Sequence, residues 1–302
     1  ASHEDLEDEG QTIHFPGIGT TATDSATGTH IGAPKESTTL VDTVAYTNLQ
    51  IGRSYILTGT LMDQATGLPL LSANGQEITV TKTFIPQSSN GTVDMSFVLN
   101  TSDLAGKSVV VFEQLSRGIV VYATHEDIND EGQTVHFPKI GTTAVDGVTG
   151  DHMGNAGVEE VTVIDTVAYE NLVPGKEYTV SGTLMDKATG KALTYDGKTF
   201  IAEKTFTPKE ANGSIGLTFT VPGAALLGKA VVAFEDLAYE GITVGPHADI
   251  SDEDQTVYYP QIGTTATDSV TGSHYTLADE KVTIKDTVTY QTLIPGKTYV
   301  MT

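Results

Sequence analysis

Apolar and polar side chains alternate along much of the chain with the period of two that is typical of β-strands. In residues 109–114, for example, Val109, Val111 and Glu113 fall on one face, and the residues between them fall on the other. Such runs are rich in Thr and β-branched residues, and no long amphipathic helix is predicted. They are bounded by pairs that favour turns: Asn90-Gly91, Pro174-Gly175, Asp196-Gly197 and Asn212-Gly213. Short strands separated by turns predict an antiparallel β-sandwich of the immunoglobulin-like kind.

The strand pattern repeats with a fixed period. The string His-x-Asp-x-x-Asp-x-x-Gln-Thr occurs three times, and its glutamines, Gln11, Gln133 and Gln255, are 122 residues apart (133 − 11 and 255 − 133). The string Ile-Gly-Thr-Thr-Ala begins with the same period at residues 18, 140 and 262. A unit of this length is too long for a solenoid repeat and is typical of independent domains in tandem. We therefore predict an all-β fold of tandem immunoglobulin-like β-sandwich domains.

The phase of the repeat predicts where each domain lies. Residues 1–16 correspond to the last strand of a missing upstream repeat, and residues 17–138 and 139–260 to two complete domains. Residues 261–302 correspond to the truncated opening of a downstream repeat. We expect a piece of a longer mature protein. The junction from Phe137 to Ile140 is short and contains Pro138, which predicts a stiff connection between successive domains.

Composition and charge exclude several classes of function. The net charge of −23 disfavours nucleic acid and anionic membranes as partners, because both would be repelled. The absence of Cys excludes disulfides, thiolate zinc sites and cysteine nucleophiles. The chain also lacks the apolar run of about 18 residues that a membrane span requires. We expect no cofactor, no bound metal, and no nucleic-acid or membrane partner.

Several polar side chains fall on strand faces that are otherwise apolar. On the first predicted strand, Thr20 shares a face with Ile18 and Ala22. Asp42 and Glu113 are likewise in register with apolar neighbours on their own strands. The corresponding residues are Thr142, Asp165 and Glu235 in the second complete repeat, and Asp286 at the position of Asp42 in the third. These side chains are predicted to point inward.

The repeated string adds a His and a Gln to each complete repeat, His125 with Gln133 and His247 with Gln255. The two residues are eight apart (133 − 125), so an extended strand would place both on one side. A Thr hydroxyl is a nucleophile, a Gln carboxamide is an electrophile, and a His with paired acids can move the protons. Together these groups predict acyl transfer within the protein, forming a Thr–Gln ester and releasing ammonia.

Other interpretations of the same residues exist. Taken singly, a strand Thr is a good strand former, an acid can lie at a solvated edge, and the His string can be a solvated linker. The string also resembles the start of a calcium-binding EF-hand loop at Asp127, Asn129 and Glu131, but Pro138 stands where that loop needs a bidentate Glu. A buried His, two carboxyls, a Thr and a Gln in each repeat would be costly without a shared purpose. That cost favours acyl transfer.

The ordered set of motifs carries a resemblance to a known family. Thr-Thr, Asp-Thr-x-x-Tyr, Gly-Thr-Leu-Met, Val-x-Phe-Glu and the His string follow one another in both complete repeats, and parts of the set occur at both ends. In this order they resemble the ester-bond immunoglobulin-like domains of Gram-positive surface adhesins, also described as Thr-Gln or VaFE-type repeat domains. The resemblance implies stalk domains in which a Thr and a Gln on the first and last strands join spontaneously.

The resemblance also implies a role for each matched residue. It implies ester bonds from Thr20 to Gln133 and from Thr142 to Gln255. It implies that His125 and His247 act as bases, and that Asp42 with Glu113, and Asp165 with Glu235, form acid pairs that share a proton and polarise the Gln carbonyl. The choice within each Thr-Thr pair depends on strand register, so Thr21 and Thr143 remain alternatives. The sequence departs from the first repeat before His247, where Val-Gly-Pro replaces Tyr-Ala-Thr.

These inferences define the expected function and its rivals. We expect a force-bearing stalk on an extracellular, cell-wall-anchored surface, with the anchor outside this chain and a host ligand bound by another domain. Adjacent repeats are the expected partners, and a single-turnover reaction does not make the chain an enzyme. The rivals are a Lys–Asn isopeptide stalk, a ligand-binding adhesin module and a hydrolase. Gln11 and Thr264 lack complete domains around them, so neither is expected to cross-link efficiently.

Overall fold

The computed structural model describes residues 4–5, 8, 10–276, 278 and 280–302. His3, which opens the first copy of the repeated string, lies outside the described residues, as do parts of the predicted segment 1–16. Two complete β-sandwiches and one smaller strand pair make up the described chain. None of its helices has the length and hydropathy needed to cross a bilayer.

The first sandwich is built from two antiparallel sheets. One sheet has the strand order β1-β2-β6, and the other has the order β4-β3-β7-β8, with β5 also paired to β3 and β9 to β7. Its elements are β1 Gly17–Asp24, β2 Thr38–Thr47, β3 Tyr55–Asp63, β4 Leu68–Pro69, β5 Thr79–Phe84, β6 Gly91–Leu99, β7 Ser108–Arg117, β8 Val120–His125 and β9 Thr134–His136, with 3₁₀ turns at Ser102–Leu104 and Glu131–Gln133.

The second sandwich repeats this arrangement. Its sheets have the orders β10-β11-β17 and β13-β12-β18-β19, with β16 paired to β12 and β20 to β18, and β14 and β15 form a separate hairpin. Its elements are β10 Lys139–Asp146, β11 Glu160–Glu170, β12 Tyr178–Asp186, β13 Lys191–Ala192, β14 Thr194–Tyr195, β15 Lys198–Thr199, β16 Ile201–Phe206, β17 Gly213–Pro222, the helical turn α1 Gly223–Leu226, β18 Lys229–Tyr239, β19 Ile242–His247 and β20 Thr256–Tyr259.

Each sandwich has its own apolar core between its two sheets. In the first sandwich, Leu40 and Phe97 come from one sheet and Leu57, Leu61 and Val111 from the other, and all five are buried in one cluster. The alternation read from the sequence accounts for this, since every second strand residue faces the opposite sheet. The prediction of an all-β fold of tandem immunoglobulin-like sandwiches is confirmed.

The two ends of the chain lack this two-sheet arrangement. After the second sandwich, β21 Gln261–Asp268 pairs with β22 Ile284–Gln291, and most residues of both strands are exposed. Residues 10–16 form no strand, although they correspond in sequence to the region around β9. β9 pairs with β7 of its own sandwich, and no matching strand lies before residue 10 in the described chain. Residues 10–16 therefore have no neighbouring strand in the described chain to pair with their backbone N–H and C=O groups, and a strand requires those hydrogen bonds.

The expectation of an extended strand from His125 to Gln133 is wrong. Strand β8 ends at His125, and a turn and a 3₁₀ helix precede β9. The cause is local, because short polar side chains bond to nearby backbone groups and compete with strand pairing. Asp127 Oδ1 accepts from Asn129 N at 3.0 Å, and Asp130 Oδ1 accepts from Gly132 N at 2.8 Å.

Neighbouring residues on β6 test the assignment of the core face. Phe97 is fully buried, whereas Val98 is 70% exposed on the opposite face. We expect Phe97→Ala to lower the free energy of unfolding by about 3–5 kcal/mol, because it leaves a cavity between the sheets. The control Val98→Ala is expected to change it by no more than about 0.5 kcal/mol. Urea unfolding followed by tyrosine fluorescence measures both, and equal effects would contradict the assignment.

Candidate functional site

The polar residues predicted to face inward meet between the two sheets of the first sandwich. Thr20 on β1 and Asp42 on β2 come from one sheet, and Glu113 on β7 comes from the other. Gln133 ends the 3₁₀ turn that leads into β9. Asp42, Glu113 and Gln133 are buried and Thr20 is half-buried, so the cluster is largely shielded from water.

The hydroxyl of Thr20 and the carboxamide of Gln133 meet over the Glu113 carboxyl group. Thr20 Oγ1 donates to Glu113 Oε2 at 3.3 Å. Gln133 Nε2 contacts both Thr20 Oγ1 and Glu113 Oε2. The partners are 113 residues apart in sequence, so the sandwich brings its first strand and its last segment together at this point.

The second sandwich builds the same cluster. Thr142 Oγ1 donates to Glu235 Oε2 at 3.1 Å, and Gln255 Nε2 donates to the same oxygen at 2.6 Å. Thr142, Asp165, Glu235 and Gln255 are all buried. Two independent copies of one arrangement, in chain segments that differ in many surface residues, show that the cluster belongs to the repeat.

Buried side-chain atoms that lack a hydrogen-bond partner are concentrated in these two clusters. Among the described residues, nine buried side-chain nitrogen or oxygen atoms lack a hydrogen-bond partner, and eight of them belong to the clusters. The eight are both carboxyl oxygens of Asp42 and of Asp165, with Oε1 of Glu113, Gln133, Glu235 and Gln255. Leaving a buried polar atom unpaired costs about 1–3 kcal/mol. The fold therefore carries a local cost that packing alone does not explain.

The two acids of each cluster hold a proton at neutral pH. Burial, followed by the neighbouring Asp42 charge, raises the pKa of Glu113 to about 10, and burial raises the pKa of Asp42 to about 6. The pKa values of Glu235 and Asp165 are raised in the same way, to about 9 and about 6. Two carboxyl groups in contact cannot both ionise cheaply, so the Glu stays neutral at pH 7.

The His of each repeat is held by an Asp that the sequence reasoning did not select. His125 ends β8 opposite Glu113, and its Nε2 lies 2.7 Å from Asp130 Oδ2. In the second sandwich, His247 Nε2 lies 3.0 Å from Asp252 Oδ2. The hydrogen bond to His125 is the main cause that lowers the pKa of Asp130, which therefore stays ionised. A carboxylate that accepts from Nε2 leaves the lone pair of Nδ1 free to take a proton.

The same turn fixes the Gln. Asp130 caps the 3₁₀ turn that ends at Gln133, and Thr134 Oγ1 donates to Asp130 O at 2.8 Å. Thr256 Oγ1 donates to Asp252 O at 2.6 Å in the second sandwich. One Asp thus orients the His through its side chain and the Gln through its turn. The signal available in the sequence was the second Asp of the recurring string.

The structure separates the two members of each Thr-Thr pair. Thr20 and Thr142 point into the clusters, whereas Thr21 and Thr143 are exposed on the opposite strand face. At the chain ends, Gln11, Thr264 and Asp286 are also exposed. Thr264 and Asp286 lie on β21 and β22, which have no second sheet over them in the described chain. No enclosed cluster is therefore built around these three residues.

The acids considered for calcium bond to the protein itself. Asp127 accepts from the backbone of Asn129, and Asp130 accepts from Gly132 N and pairs with His125. Within the described part of the chain, no group of three or more His, Asp or Glu side chains is placed to hold a metal ion.

Comparison with protein families matches the whole repeat array. The model of a family described as "T-Q ester bond containing domain" matches residues 16–137, 138–259 and 260–302. Together the three matches span almost the entire chain. A comparison with curated proteins found no match.

Solved structures give a weaker likeness. A bacterial adhesin from Mobiluncus mulieris, described as containing intramolecular disulfide, isopeptide and ester bond cross-links, is 16% identical, with 90% of this chain and 92% of that chain covered and a TM-score of 0.34. A glycosyl hydrolase family 2 member from Bacteroides cellulosilyticus is 10% identical, with 78% of this chain and 30% of that chain covered and a TM-score of 0.31. Scores this low do not establish a shared arrangement, so the family model alone decides the relationship.

The acid pairs predict a loss of stability at alkaline pH. The pKa of Glu113 and of Glu235 is higher in the folded chain than in the unfolded chain. Their contribution to folding is therefore complete below the ordinary Glu pKa and is lost as the pH rises through the folded value. We expect the unfolding temperature to fall from about pH 5 up to about pH 10, the interval between the unfolded and the folded pKa of these two groups, and these groups to contribute no further change above it.

A neutral variant is the matched control for this pH effect. Glu113→Gln combined with Glu235→Gln removes both ionisations and leaves the tyrosines that also titrate at high pH; the variant and its parent are compared in a Thr20→Ala, Thr142→Ala background, so that neither can form a Thr–Gln cross-link. Its unfolding temperature is expected to fall less over the same interval, as measured by differential scanning calorimetry. Parallel curves for the two proteins would show that the two glutamates do not titrate in the folded chain.

Proposed function

The chain belongs to the family of T-Q ester bond containing domains, and on that premise we propose that its complete repeats are load-bearing stalk modules of a bacterial cell-surface adhesin. Residues 17–138 and 139–260 are the two modules, each closed by an ester between its Thr and its Gln. Residues 1–16 and 261–302 belong to neighbouring repeats of the same stalk. The bonds are Thr20 to Gln133 and Thr142 to Gln255.

One observation carries this proposal. In both sandwiches a Thr hydroxyl from the first strand and a Gln carboxamide from the last segment meet at one oxygen of a buried, neutral Glu. Gln133 Nε2, the nitrogen that ester formation would expel, is in contact with Thr20 Oγ1, the oxygen that would replace it on the carbonyl carbon. The unpaired buried oxygens around it are explained if the site is built for a reaction rather than for stability.

The proposed reaction is a balanced acyl transfer. His125 takes the proton of the Thr20 hydroxyl while Oγ1 attacks the side-chain carbonyl carbon of Gln133. Neutral Glu113, paired with Asp42, supplies the hydrogen bond that stabilises the developing negative charge on the carbonyl oxygen. The carbon–nitrogen bond then breaks, and the nitrogen takes the proton and leaves as ammonia. His247, Glu235 and Asp165 have the same roles for Thr142 and Gln255.

The fold supplies both the rate and the protection of the product. An amide is a poor electrophile, but fixed alignment of two reactants is equivalent to an effective concentration of about 10⁵ to 10⁸ M. Asp130 contributes to that alignment, because it orients His125 and caps the turn that ends at Gln133. Exclusion of water from the space between the sheets then slows hydrolysis of the ester. The reaction occurs once per site, so the module is not an enzyme in the ordinary sense.

The position of the bond suits a stalk under tension. The ester closes a loop of 113 residues between the first strand and the last segment. By analogy with a disulfide, closing a loop of this size stabilises the folded state by about 4–5 kcal/mol. Force entering at Thr20 passes through the ester to Gln133 and bypasses the loop. The charge of −23 keeps such a rod soluble, as expected for an extracellular stalk on a cell-wall surface.

Pulling on single molecules tests the proposal. We expect the unaltered chain to show no lengthening from unfolding of either module below the force that breaks covalent bonds. Thr20→Ala removes one ester, so the first module should unfold and release its loop at about 3.3–3.6 Å per residue. Thr21→Ala changes the neighbouring exposed Thr and should release nothing.

The same variants separate the proposal from its rivals. Unfolding of both modules in the unaltered chain would show that no cross-link bears load. That is the result expected if the chain is a ligand-binding module without cross-links. A chain that resists force but is released by hydroxylamine contains an ester, whereas an isopeptide survives that treatment. Release by Thr21→Ala instead of Thr20→Ala would show that the wrong Thr has been assigned.

A further inference from the structure

Asn171 lies at the junction between the two sandwiches in an uncommon backbone conformation. It follows β11, and its φ of +60° lies in the left-handed region that favours glycine and that Asn tolerates. Its backbone N–H donates to Asn212 Oδ1 of its own sandwich at 2.9 Å. The second sandwich therefore fixes the direction in which the Asn171 side chain projects.

The Asn171 side chain uses both of its polar atoms on the preceding sandwich. Nδ2 donates to Lys107 O at 2.6 Å and to Phe137 O at 3.3 Å. Oδ1 accepts from Ser108 Oγ at 3.0 Å. A glycine would adopt this backbone conformation equally well. What the Asn side chain adds is a set of hydrogen bonds, and all of them go to the neighbouring sandwich.

An apolar seam accompanies these hydrogen bonds. Ile31 and Ala33 belong to the first sandwich in sequence, yet both are buried in the core cluster of the second sandwich. Gly245 of the second sandwich also lies close to the junction, since a Cβ on it would stand 3.8 Å from Pro138 O. The first sandwich therefore contacts the second directly through Ile31 and Ala33, and the connecting segment lies against the second sandwich at Pro138.

The same position makes the same kind of bond in the other repeats. Asn48 has a φ of +56°, and its Nδ2 donates to Phe15 O at 3.1 Å. Thr292 has a φ of +60°, and its Oγ1 donates to Gly228 O at 2.5 Å. In each case a side chain in the left-handed region bonds to a backbone carbonyl of the segment that precedes its own repeat. The contact is thus a recurrent feature of the repeat boundary.

We propose that Asn171 is a latch that fixes the angle between successive modules, with Lys107, Ser108 and Phe137 of the preceding module as its docking surface. Its mechanical role rests on the proposed function. When both esters are formed, tension bypasses residues 21–132 and 143–254 and is carried by the single chain of residues 134–141. The latch holds this stretch, because Asn171 bonds to Phe137 within it. It converts a flexible point between two closed loops into a rigid joint.

Distance measurements between the modules test the latch. The sequence contains no Cys, so Thr81→Cys and Glu203→Cys, at exposed and corresponding positions of β5 and β16, provide a unique pair of sites for nitroxide labels. Pulsed electron paramagnetic resonance is expected to give one narrow distance distribution. Asn171→Gly keeps the backbone conformation and removes the latch, so the distribution should widen about twofold, because the apolar contact that remains is not directional and does not by itself fix the angle.

Asn48→Gly is the matched control for the latch. It makes the same substitution at the same backbone conformation, but its side-chain bond goes to Phe15 and does not cross the labelled junction. We expect it to leave the distribution unchanged. An unchanged distribution in Asn171→Gly, or equal widening in both variants, would overturn the proposal.

The mass of each labelled chain distinguishes failure of the latch from failure of the cross-link. Loss of ammonia reports ester formation and does not depend on the angle between modules. A narrow distribution that widens in Asn171→Gly, in a chain that has lost no ammonia, would support the latch and contradict the proposed function. Ammonia loss together with an unchanged distribution in Asn171→Gly would support the proposed cross-link and contradict the latch.

Discussion

The protonation of two buried carboxyl groups is the constraint on which the site in each sandwich depends. Asp42 and Glu113 come from opposite sheets and meet where water is excluded, so one of them must remain neutral. A neutral Glu can face both a hydroxyl and a carboxamide as a hydrogen-bonding partner. An ionised pair would instead drive the sheets apart or draw water into the gap. The proposed reaction and the closure of the sandwich therefore require the same protonation state.

The position of the site in the topology determines how a bond formed there would carry force. The site joins the first strand of one sheet to the segment that enters β9 of the other sheet. Ordinary packing between sheets is held by many weak contacts that can be lost one after another under load. A bond at this place connects the entry and the exit of the domain directly. The boundary between repeats lies outside the closed loops, and there side chains in left-handed turns bond to the preceding repeat.

The sequence predicts the fold and the strand-borne site residues well, because strand residues follow a period of two. Thr20, Asp42 and Glu113 could be placed on inward faces from their apolar neighbours alone, since the core forces the register. The repeat then located the same set in the second sandwich. Placing these residues on inward faces did not require knowing which residues of the opposite sheet they meet.

The period of two fails where the backbone leaves the strand. Residues 126–133 form a turn, so Asp130 returns to His125 over five residues, a contact that no alternation of faces predicts. Asn171 was missed for a related reason. Its significance lies in a positive φ and in bonds to another sandwich, and neither is visible in a pattern of apolar and polar residues. Boundaries between repeats and turns next to the site are thus where the structure adds most.

The mass of the intact, unaltered chain tests the central claim most directly. Formation of each Thr–Gln ester expels one molecule of ammonia, and hydrolysis of the Gln side chain would instead raise the mass. The account predicts a mass below that of the sequence by two molecules of ammonia, one for each complete sandwich. A denatured sample with the full mass of the sequence would contradict it, because the two clusters would then have failed to react in a chain that folds around them.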